Sequence, residues 1–130
     1  MKFAILLVDH GSRLEVANNL LPEVTERVRA GTPPGTIVHY AHMEMASPTI
    51  SEGIDACVNE GATEIFVHPY FLGPGNHSTN DIPQRVEEAA HRHPGLRTVI
   101  TEPLGLHSKL VEVVLERIES ARSRAHPASR

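Results

Sequence analysis

The chain has 130 residues, the size of one domain, and its 40% hydrophobic and 22% charged residues are ordinary for a globular fold. A net charge of −4, no Trp and two Tyr argue against nucleic-acid binding, and a single cysteine excludes an internal disulfide, a CxxC pair and a cysteine-ligated cluster within one chain. Nine histidines are the unusual count, and they point to proton or metal chemistry.

Phe3-Ala-Ile-Leu-Leu-Val8 is a short apolar run ending at Asp9-His10-Gly11-Ser12, which predicts a strand buried on both faces. Leu14 to Ala30 carries a helical stripe, with a kink or break expected at Pro22. Thr36 to Ala41 reads as a second strand. Ser47-Pro48 reads as a helix start, with Ser47 the cap; that helix runs to Glu60 and stops at Gly61. Glu64 to His68 is a third strand, followed by a loop from Tyr70 to His77. Asp81 is the expected cap of a third helix that ends before His93-Pro94-Gly95. Arg97 to Thr101 is the fourth strand and Leu106 to about Ala121 the last helix. The single domain is expected to occupy 1–119, with 120–130 a flexible basic tail.

The order βαβαβαβα predicts an α/β fold, a four-stranded parallel sheet in flavodoxin-like order 2-1-3-4 with helices on both faces. Ligands of such sheets bind beyond the carboxyl ends of the strands, where the strand order reverses. Here that point lies between strands one and three. It gathers His10 after strand one, His42 and Glu44 after strand two, and His77 after strand three. Two imidazoles and a carboxylate suit a divalent metal such as iron, cobalt or nickel, and also suit proton transfer near neutral pH. Met43, Met45, Phe71, Leu72 and Pro74 are the expected cleft walls. The amides of Gly11 and Ser12, ahead of a helix, suit an anion. His39, His42 and His68 read as structural, and Cys57 as a buried small hydrophobe. No apolar run approaches the roughly 20 residues that span a bilayer, so no membrane partner is expected. The N-terminal MKFAILLV is too short for a signal peptide, and the lone cysteine fits a reducing, cytoplasmic compartment.

Three blocks, Leu7-Val-Asp-His-Gly-Ser-Arg13, Ala41-His-Met-Glu-Met-Ala-Ser-Pro48 and His68-Pro-Tyr-Phe-Leu-Gly-Pro-Gly-Asn-His77 with Asp81-Ile-Pro83, resemble the sirohydrochlorin chelatases of the short CbiX/SirB type. Glu102-Pro-Leu-Gly-Leu-His107 closes the match, which keeps its order from Phe3 to about Ile118. The resemblance implies an enzyme that inserts a divalent metal into sirohydrochlorin, a tetrapyrrole with eight carboxylates, releasing two pyrrole protons. The metal is then a substrate, and no permanently bound cofactor is implied. His10 and His77 match the family's metal-binding and proton-accepting histidines, and Glu44 its assisting acid. Arg13 and the backbone of Gly11, Ser12, Gly73 and Gly75 are the candidates for the substrate's carboxylates. A half-sized chain implies a homodimer with facing clefts. Asp9 and His42-Met43-Glu44 look more like the iron-inserting branch, with cobalt and nickel open. The rival reading is a non-catalytic metal carrier or sensor using the same histidines.

Overall fold

The structure is a computed structural model describing residues 2–75 and 80–127. The elements run β1 (Phe3–Asp9), α1 (Glu15–Asn18), α2 (Leu20–Ala30), β2 (Ile37–His42), α3 (Ile50–Asn59), β3 (Glu64–Pro69), α4 (Ile82–Ala90), β4 (Arg97–Ile100) and α5 (Ser108–Ala125). The four strands form one parallel sheet in the order β2-β1-β3-β4, as the alternating pattern predicts.

Side chains alternate across the sheet, so each face has its own cover. Ala4, Leu6 and Val8 of β1 join Ile65 and Val67 of β3 on the face that α3 and α4 cover with Ile50, Ile54, Ile82 and Val86. Gly53 lets α3 lie close to this face: a Cβ there would stand 2.9 Å from Leu6 Cδ1 and 3.1 Å from the Ala41 Cβ. On the opposite face Leu7 and Val38 are buried with Leu21 and Thr25 of α2. The Thr25 hydroxyl donates to the Leu21 carbonyl at 2.7 Å, which satisfies a polar group in an apolar layer.

Four local features differ from the sequence reading. The break expected at Pro22 falls at Asn19, between α1 and α2. Asn18 is turned back on Ser12: its Oδ1 accepts from the Ser12 amide at 2.9 Å and its amide donates to the Ser12 carbonyl at 2.7 Å. Pro22 then falls in the first turn of α2, where a missing N–H costs nothing. The cap of α3 is Thr49, not Ser47. Thr49 Oγ1 accepts from the Glu52 amide at 3.2 Å and Glu52 returns the bond to the Thr49 amide at 2.8 Å, a reciprocal capping box. Asp81 stands before α4 in helical conformation and its side chain does not cap it. Finally, residues 120–125, expected as tail, continue α5.

Candidate active site at the carboxyl edge of the sheet

The β1–β2 ladder continues past the strands. The Met43 amide donates to the Asp9 carbonyl at 2.8 Å and the Glu44 amide to the His10 carbonyl at 3.1 Å. These two bonds make His10 and Glu44 neighbours across the ladder, with His10 Nε2 3.7 Å from Glu44 Oε2. Both side chains stay accessible, at 41% and 33% exposure. Beneath them His42 is buried and its Nδ1 meets Asp9 Oδ1 at 2.6 Å, which fixes the ends of both strands.

Gly11 explains how the two loops come so close. It has φ +88°, and a Cβ there would fall 1.9 Å from the Glu44 carbonyl oxygen. No other residue type fits both the conformation and the space. The Ser12 amide is engaged by Asn18, so it is not offered to an anion as the sequence suggested. The Ser12 hydroxyl accepts from the Leu14 amide at 3.0 Å, and Arg13 is exposed beside it.

The two methionines separate. Met43, expected on the cleft wall, is a core residue with 2% exposure. Met45 adopts φ +70° and turns outward, 54% exposed. It stands between two cavities. One, of about 450 Å³, is bounded by Glu44, Met45, Ile50, Arg85 and Arg92; the other, of about 350 Å³, by Ser12, Arg13, Tyr40, His42 and Met45. Phe71 leans on the core, whereas Leu72 is exposed. Space is open around Gly73 and Gly75, so no close approach dictates glycine at either position. His77, the second expected imidazole, lies outside the described residues. Among the described residues no group of three His, Cys, Asp or Glu side chains forms a metal cage.

Arg85 of α4 was not singled out from the sequence. Its Nη1 donates to the Met43 carbonyl at 2.9 Å and its Nη2 lies 3.9 Å from Glu44 Oε1. It ties the Glu44 loop to α4 and sets a positive charge beside the carboxylate. Seven residues further on, just past the end of α4, Arg92 pairs with Asp55 of α3, and His93 Nε2 meets the same carboxylate at 2.7 Å. The His93 hydrogen bond, with Arg92 adding to it, holds the Asp55 carboxyl below its usual range against a smaller opposing burial effect. Cys57 is buried, and burial pushes its thiol up to about 12, which makes it inert. No described helix is long and apolar enough to cross a membrane.

A family model, CbiX, matches residues 4–121, which include the whole sheet, His10 and Glu44. The chain belongs to the CbiX family. It is 42% identical over 117 residues to the chloroplastic sirohydrochlorin ferrochelatase of Arabidopsis thaliana, covering 88% of this chain and 51% of that protein. It is 32% identical to the sirohydrochlorin cobaltochelatase of Methanococcus maripaludis, covering 88% of this chain and 96% of that protein. Among solved structures, the sirohydrochlorin chelatase SirB from Bacillus subtilis subspecies spizizenii, in complex with cobalt, superposes with a TM-score of 0.85 at 36% identity, covering 92% of this chain and 51% of that one. The CbiX chain thus spans about half the length of the plant and Bacillus relatives and nearly all of the archaeal one.

Proposed function

We propose that the chain inserts a divalent metal into sirohydrochlorin, with iron the favoured substrate metal, cobalt and nickel its competitors, and no permanently bound cofactor. The observation that carries this reading is the His10–Glu44 pair, 3.7 Å apart and accessible at the switch point of the sheet. Its relatives' names and the cobalt in the SirB structure support the reaction class.

Insertion converts the free tetrapyrrole and M²⁺ into the metallated ring and two protons. A base must therefore face the ring nitrogens, and the metal must be held loosely enough to pass on. His10 is assigned as proton acceptor and metal ligand, His77 as the second imidazole, and Glu44 as the carboxylate that draws the dication to them. Arg85 is assigned as a positioning residue that holds Glu44 toward His10. Met45 and Leu72 offer exposed apolar surface to a flat ring. Arg13, Arg85 and Arg92, which border the two cavities, suit the substrate's carboxylates; the backbone of Gly73 and Gly75 is assigned to the same groups. Two copies with facing clefts would enclose the ring. The lone buried Cys57 supports a reducing compartment, assigned as the cytoplasm.

The test is a visible-spectrum titration of sirohydrochlorin and Fe²⁺ or Co²⁺ with the protein. The metallated spectrum is expected to grow catalytically, and His10→Ala is expected to slow it by about 10²–10⁴-fold while far-UV circular dichroism is unchanged. Stoichiometric metal uptake with an unchanged ring spectrum would identify a carrier or sensor instead. A loss under threefold in His10→Ala would remove His10 from the chemistry.

A further inference from the structure

The loop after β2 holds a bulky side chain in a conformation that suits glycine. Residues 43–47 leave the sheet at His42 and return at Pro48, whose carbonyl accepts from the His42 amide at 2.7 Å. Met45 is the middle residue of this span. Its backbone lies at φ +70°, in the left-handed region, and among the described residues it is the one non-glycine with positive φ. Glycine takes this conformation freely, whereas the Cβ of any other residue crowds the following carbonyl. A bulky residue keeps it only where the surroundings hold it there.

The surroundings do hold it. The Glu44 amide donates to the His10 carbonyl at 3.1 Å, the Met43 carbonyl accepts from Arg85 Nη1 at 2.9 Å, and the Met43 side chain is buried in the core. The closing bond to Pro48 fixes the other limb of the loop. A chain that stayed extended would point Met45 to the same side as Met43, because strand side chains alternate with a period of two. The left-handed turn sends Met45 outward instead, 54% exposed and next in sequence to Glu44.

Met45 borders both cavities beside the candidate site, so it is the wall between them. Charge alone makes neither cavity an anion trap. Glu44 and Glu88 balance Arg85 and Arg92 in the larger, and Glu15 balances Arg13 in the smaller. What the pair offers is an arrangement: an apolar, adaptable thioether side chain with an arginine-bearing hollow on either side of it. Its chemical complement is a flat ligand with an apolar centre and carboxylates on opposite edges.

We propose that Met45 is a specificity-determining residue: its side chain takes one face of the tetrapyrrole beside His10 and Glu44, and the ring straddles it with one edge over each cavity. This rests on the chelatase reading and deepens it. The strained turn is kept because glycine, which would relieve it, has no side chain to meet the ring. Because each cavity is balanced in charge, the apolar contact at the centre adds the selection for a ring that the carboxylates cannot supply. Covering the exposed half of a methionine side chain strengthens binding by about 4–12-fold. The contact acts on ring affinity and placement, and leaves metal binding to His10 and Glu44.

Titrating metal-free sirohydrochlorin with the full chain, read by the ring's visible absorption, gives the ring's dissociation constant; a separate titration with Co²⁺ alone gives that of the metal. Met45→Ala and Met45→Gly are both expected to weaken ring binding by about 4–12-fold, with Met45→Leu restoring it and Co²⁺ affinity unchanged in all three. Met45→Gly is expected to melt about 2–6 °C above Met45→Ala, relief of the turn outweighing the greater freedom of an unfolded glycine. Ring affinity unchanged in both variants overturns the contact and spares the chelatase reading. Ring affinity that follows stability, lost in Met45→Ala and kept in Met45→Gly, makes Met45 merely structural and also overturns it. So does a parallel loss of Co²⁺ affinity, which places the effect at Glu44, and so does Met45→Gly melting at or below Met45→Ala, which removes the strain. A wild-type chain that leaves the ring spectrum unchanged overturns both the contact and the chelatase reading.

Discussion

Replacing Gly11 with Ala tests the close approach that creates the site. Two penalties combine there. The left-handed conformation at φ +88° costs a non-glycine residue about 1–2 kcal/mol. The new methyl would also lie 1.9 Å from the Glu44 carbonyl oxygen, a backbone atom that can move only if the loop moves. Overpacking of this kind costs about 1–3 kcal/mol. Together they predict a loss of roughly 2–5 kcal/mol, or a fall in Tm of about 8–20 °C at roughly 4 °C per kcal/mol for a chain of this size. Gly35→Ala separates the two: it has φ +89° but nothing within 4 Å of its Cβ, so only the conformational cost of about 1–2 kcal/mol applies. Urea unfolding of both variants measures the difference, and metal insertion by Gly11→Ala should be lost in step, because displacing the Glu44 carbonyl displaces the carboxylate from His10. Equal destabilisation in the two variants, with activity retained in Gly11→Ala, would refute the argument that steric closeness at Gly11 sets the site.

Two further outcomes follow. Arg85→Ala is expected to raise the metal concentration needed for half-maximal insertion by about 10–100-fold with a smaller effect on turnover at saturation, and Arg85→Lys to recover part of it; steady-state rates against metal concentration check this. His68 of β3 is pH-sensitive: burial lowers its pKa below the ordinary 6.5, against a smaller opposing hydrogen bond to the Glu102 backbone. The folded chain therefore binds this proton less readily than the unfolded chain, so stability is full above about 6.5 and falls as pH drops from there through the lowered folded value. Urea midpoints between pH 7 and 5 should show this loss in the wild type and less of it in His68→Asn; an identical slope would refute it.

The topology was legible because four apolar runs alternate with helical stripes, and that pattern leaves few alternatives. The cap of α3 was equally present in the sequence, since Glu52 stands three residues after Thr49 and nothing comparable follows Ser47. The break before α2 was not legible, because it depends on Asn18 reaching back to Ser12 rather than on any helix-breaking residue. The role of Arg85 was hidden for a different reason. Nothing in its neighbourhood marks it; only the placement of α4 beside the loop after β2 brings it to the Met43 carbonyl. The methionines show the same limit at closer range. Met43 and Met45 look equivalent in sequence, and the backbone turn at Met45 alone sends one into the core and the other to the surface.

The candidate site is an extension of the sheet rather than a loop structure. Asp9 pairs with His42 as the last rung of the β1–β2 register, and the next two amide bonds of the ladder carry Met43 and Glu44 past it. His10 and Glu44 therefore inherit the precision of a strand pair, and Arg85 and the buried Asp9–His42 contact hold that extension from either side. Rigid elements position chemistry more exactly than free loops do. A base and a carboxylate held this way can keep a short, fixed separation while remaining open to solvent. Handing a dication to a ring requires that combination: fixed geometry on the protein side and an unobstructed face on the other. The same geometry explains the glycine after His10. A side chain at that position would push the Glu44 carbonyl away, and His10 and Glu44 would no longer face each other across one ladder.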